Sequence, residues 1–123
     1  MELFSTPFAP QTWHNFAVIV DWTDRTLAVL YSQNGSHLTK VTGVVANTGA
    51  AEGAAGRGDF HFGVLKLPLV DLTDTPAEQA DVVHFGIQEG DKEGLIYSGV
   101  FVEDSRDGIS LGHGEVVAPR DVL

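Results

Sequence analysis

Apolar and polar residues alternate along this chain at a period of two far more often than at the helical period, so strands dominate the expectation. His14 to Trp22 places Phe16, Val18 and Val20 on one face and Ala17 and Ile19 on the other. Apolar on both faces, this segment is expected to run centrally between two layers. Thr23-Asp24-Arg25 turns the chain into a second strand, Thr26 to Ser32. Asn34-Gly35 then turns it into a third, Leu38 to Val45, completing an antiparallel meander. Residues 47–58, with Gly49, Gly53, Gly56 and Gly58, read as a loop. A fourth strand is expected from Asp59 to Lys66, a fifth from Val82 to Gln88 and a sixth from Leu95 to Glu103. Between the fourth and fifth, Thr75-Pro76-Ala77-Glu78 supplies the cap and the first-position proline of one helical turn. Asp107-Gly108 turns toward Ile109-Ser110-Leu111.

About six strands at this spacing predict an all-β domain, an antiparallel β-sandwich or jelly roll. It is expected to occupy residues 1–112, with 113–123 as a tail, loose or an edge segment. The 123 residues, 43% of them hydrophobic, suffice for one core. The formal net charge of −10 repels polyanions, so neither nucleic acid nor an anionic membrane is expected as a partner. Neutral polysaccharide meets no such barrier. With no cysteine, disulfides, thiol catalysis and Cys-based zinc sites are excluded, and a reducing compartment is mildly favoured. No signal peptide and no membrane-spanning run are read, which leaves a cytoplasmic location open. Asn34-Gly35-Ser36 also fits a glycosylation acceptor, although its reading as a hairpin turn is preferred.

The candidate chemistry centres on His-Phe-Gly, which occurs at 61–63 and again at 84–86. Strand alternation would send Phe60, Phe62 and Val64 to the core and leave Asp59, His61 and Gly63 on the other face. In the second copy, Val83, Phe85 and Ile87 form the core set, with His84, Gly86 and Gln88 outside. A polar side chain beside a glycine leaves room above a sheet, as the floor of a substrate groove requires. The same pattern fits a solvated sheet face with glycines at bends. A metal site from His61, His84 and a carboxylate lacks any ligand motif, so neither metal nor cofactor is expected. Trp13 and Trp22 bracket the first strand; an exposed Trp can stack on the C–H face of a sugar, and a buried one can plug a core. Glycoside hydrolysis needs a carboxylate pair, and spacing alone selects none.

Several segments, taken together and in order, resemble the fungal glycoside hydrolase family 131, jelly-roll β-glucanases. They are Thr6-Pro7-Phe8-Ala9-Pro10 with Trp13-His14-Asn15-Phe16, Thr26 to Ser32, Phe60 to Lys66, and Glu93 to Asp104 with Asp107-Gly108. The chain resembles the C-terminal half of that family's catalytic domain. The resemblance implies a secreted β-glucanase ancestry and places the family's catalytic histidine on His61; the family's glutamates have no counterpart here. Asp59 is the carboxylate on the same face as His61, and Trp22, Gly63, His84, Gln88 and Lys66 are the expected substrate-binding set. Half a jelly roll would expose strand edges, so a homodimer is expected. The expected function is β-glucan binding with weak or no hydrolysis. An active β-glucanase, with Asp59 and Glu103 completing the site, is the alternative. A protein-interaction or immunomodulatory module on the same scaffold is the second alternative.

Overall fold

The computed structural model describes residues 2–50, 53, 61–90, 92 and 94–122. It divides into two units, Met1–Gly58 with Phe101–Leu123, and Asp59–Val100. The fold is all-β, with antiparallel sheets and few helical residues.

In the first unit, β1 (His14–Asp21) and β2 (Thr26–Gln33) form an antiparallel hairpin in unbroken register from His14↔Gln33 to Asp21↔Thr26. Its turn is closed by Asp21, whose Oδ1 accepts from the Thr23 and Asp24 N–H groups at 2.8 Å each. Arg25 takes the left-handed conformation, φ 52°, that brings the chain back. At the far end Asn34, also left-handed, makes the expected turn, and the Ser36 N–H donates to the Gln33 carbonyl.

As the expected meander requires, β2 holds the middle of the sheet, with β1 on one side and both β3 (Thr39–Lys40) and β4 (Val45–Ala46) on the other. Ala28, Val29 and Leu30 are therefore buried in succession, whereas Phe16 and Val18 of β1 are exposed. The third strand forms in two pieces. Between them the Val29 N–H donates to the Thr42 hydroxyl at 2.8 Å, so a side chain replaces a rung of the ladder.

A two-stranded hairpin, β5 (Ile109–Gly112) and β6 (Glu115–Val117), completes this unit, followed by a 3₁₀ turn at Pro119–Asp121. Residues 113–123 thus carry a strand and a short helical turn. Ile109 of β5 packs against Ile19 and Leu30, with Ala17, Leu38, Leu111, Val117 and Val122 around them. Leu30 is 1% exposed. Gly108 enters β5 with φ +139°, and a Cβ there would meet Val116 Cγ1 at 2.4 Å.

The second unit departs most from the expected strands. Helix α1 (Pro76–Gln79) forms as the sequence indicated, with a full capping box between Thr75 and Glu78. The segment expected as the fifth strand instead begins with a helical turn, α2 (Val82–Phe85). The strand preference of the β-branched pair Val82-Val83 is overridden by a local turn in which the Asp81 carbonyl accepts from the His84 and Phe85 N–H groups. The described part of the fourth segment, 61–66, and residues 94–103 of the sixth are not strands. Their apolar alternation finds no ladder among the described residues. Among the described residues one isolated bridge, Leu69↔Ile87, ties this unit, with N–O distances of 2.9 and 2.8 Å. Gly86 sits at this bridge. A Cβ there would meet the Val82 carbonyl at 2.5 Å and the Leu69 carbonyl at 2.7 Å, so the glycine admits a close backbone approach.

Candidate functional site

The turn between β1 and β2 does more than reverse the chain. By taking two N–H groups onto Asp21, it holds Trp22 at the end of the hairpin, 45% exposed. Trp22 lines a cavity of about 730 Å³ within the first unit. Ile19, Leu27 and Val44 supply apolar wall; Asp24, Glu103 and Arg106 supply polar rim. A volume of that order accommodates a small ligand or a short stretch of polymer.

The carboxylates around it are held by their neighbours. Glu103 accepts from the Ser110 N–H at 2.8 Å with one oxygen and from the Ser110 hydroxyl at 2.7 Å with the other. Asp104 receives the Arg106 guanidinium, Nε at 3.0 Å to both oxygens and Nη2 at 2.5 Å to one. Those side-chain bonds, with the Arg106 backbone N–H, hold the Asp104 carboxyl down from its ordinary 3.8 to about 2. The same bonds push Arg106 up. Asp104 is thus an ionised acceptor, the reverse of a proton donor. Asp24 makes no side-chain hydrogen bond among the described residues and faces the cavity beside Trp22.

Of the residues singled out from the sequence, Trp22 and Glu103 lie in this cavity. His61, Gly63, Lys66, His84 and Gln88 belong to the second unit, and Asp59 lies outside the described residues. His61 is exposed in an irregular segment, and a side chain added at Gly63 would enter open space. Lys66 pairs with Glu89 at 2.7 Å, next to the exposed Gln88. His84 stands on α2 rather than on a strand, its Nδ1 within 2.8 and 2.9 Å of the two Asp81 carboxylate oxygens. In the same unit Asp74 is pushed up, by desolvation first and then by the charges of Asp71 and Glu78. Among the described residues, no group of three His, Asp or Glu side chains is arranged to hold a metal ion.

Sequence reasoning missed the Asp104–Arg106 clamp and the role of Ser110. The first had a local signal, opposite charges two residues apart. The second had none, because the Glu103–Ser110 contact depends on how residues 104–109 turn.

A family model described as the glycoside hydrolase 131 catalytic N-terminal domain matches residues 1–108. No curated protein matches the chain.

Proposed function

Because the chain belongs to the glycoside hydrolase 131 family, we propose that it binds β-glucan on that scaffold, with weak or no hydrolysis. The observation that carries this reading is the cavity with half-exposed Trp22 on its wall and fixed carboxylate acceptors on its rim. An indole face offers the apolar C–H surface of a pyranose a stacking platform, and anchored carboxylates accept from its hydroxyls. Neutral glucan is favoured over an acidic glycan by the net charge of −10 and by Arg106 being already engaged with Asp104.

The second reading is an active β-glucanase, favoured by the matching model being that of a catalytic domain. In that reading His61 takes part in the reaction. Incubation with β-1,3-, β-1,6- and β-1,4-glucans, following both retention and released reducing sugar, separates the two. Retention on one glucan without release supports binding. Release that disappears in His61→Ala supports the enzyme, and the absence of both signals directs the search to a protein partner.

A further inference from the structure

Strand β1 has no charged residue, proline or bulge between His14 and Val20, and we propose that two copies of this chain pair through it as an antiparallel dimer. Among the described residues β1 pairs with β2 alone. The Asn34 N–H donates to the Trp13 carbonyl, which fixes the parity of the ladder. Residues 15, 17, 19 and 21 exchange their main-chain bonds with β2. The N–H and C=O groups of His14, Phe16, Val18 and Val20 point away from β2. The same parity holds across β2, where Val29 and its odd-numbered neighbours face β3 and β4.

Natural edges are blunted by lysine, proline, a bulge or short length. Between His14 and Val20 there is no Lys, Arg, Asp, Glu or Pro. The strand is eight residues long, and its register with β2 is unbroken.

Parity also dictates how two copies meet. Outward groups can bond only to outward groups, so the two-fold pairing that uses the whole strand sets His14 against Val20 of the second copy and Phe16 against its Val18. That arrangement forms about eight main-chain hydrogen bonds, near the roughly ten of a standard interface. It also makes two cross-strand pairs of an aromatic with a β-branched residue, the favourable kind. Phe16 and Val18 are 56% and 57% exposed in the single chain, so pairing covers apolar surface that is otherwise wet.

The test is light scattering over a concentration series, together with amide hydrogen exchange. The expected result is a dimer in which the Phe16, Val18 and Val20 amides slow as concentration rises. Val18→Lys, at an exposed position, is expected to weaken association roughly tenfold or more. Phe16→Lys serves as a second variant if the first lowers the melting temperature. A wild-type chain that stays monomeric throughout the series overturns the proposal. So does a dimer whose Phe16, Val18 and Val20 amides exchange as fast as in the monomer, since its contact would lie elsewhere.

Discussion

Removing the Trp22 side chain tests the proposed sugar platform most directly. A tryptophan side chain presents at most roughly 250 Å², and with Trp22 45% exposed about 110 Å² of indole is open to a ligand. A pyranose stacked on one face covers about half of that. At ~25 cal/mol per Å² the contact is worth ~1.4 kcal/mol, or about tenfold in Kd. Trp22→Ala should therefore weaken binding of a soluble β-glucan about tenfold in a calorimetric titration, while Trp22→Phe retains part of the affinity. The turn itself is held by Asp21 and main-chain N–H groups, so folding stability should change by less than about 0.5 kcal/mol. Unchanged affinity in a folded Trp22→Ala protein would remove the indole from the site and refute the reasoning.

Other consequences follow from the core, the second unit and the cavity rim. Leu30→Ala empties the largest fully buried side chain among the described residues and should cost about 2–5 kcal/mol in urea unfolding; a loss under ~1 kcal/mol would mean Leu30 is not at the centre of packing. Gly86→Ala drives a methyl group into the Val82 and Leu69 carbonyls, so the Ile87 amide, now bonded to Leu69, should lose exchange protection; retained protection would contradict the close approach. Because the folded Asp104 carboxyl is depressed to about 2, its contribution is fully present above the ordinary value near 3.8 and is lost as pH falls through about 2. Carboxyl NMR should give that low midpoint, and Arg106→Gln should return it toward 3.8; a wild-type midpoint near 3.8 would show that the clamp does not form in solution.

The first unit was legible where local chemistry and tertiary position agree. The hairpin of β1 and β2 announced itself through alternation, with turns at Thr23-Asp24-Arg25 and Asn34-Gly35. The exposure of Phe16 and Val18 was not legible, because a strand apolar on both faces is covered on both only where a layer lies on each side. The second unit was misread where alternation was the only signal. Val82 to Phe85 has the side chains of a strand but closes a helical turn on the Asp81 carbonyl, whereas the capping box at Thr75 and Glu78 was readable and forms α1. A capping motif is a local hydrogen-bond instruction, whereas strand alternation needs a neighbour to become a strand. Among the described residues, 61–66 and 94–103 have no such neighbour.

The same distinction bears on the site. Trp22 could be singled out because an aromatic beside two aspartates at a turn is visible in the sequence, whereas the state of the carboxylates is set by their partners in space. Glycoside cleavage needs one carboxyl that keeps its proton near neutrality and a second that stays ionised. At the cavity rim Asp104 is driven away from the first role by Arg106, and both oxygens of Glu103 are engaged by Ser110. Binding makes the opposite demand: acceptors that do not move and an apolar platform beside them. Local chemistry at the rim therefore favours holding a glucan over cutting it. If sugar is released, the acid is expected to come from a residue other than Asp104, and Asp104→Asn should then weaken binding while leaving the pH dependence of release in place.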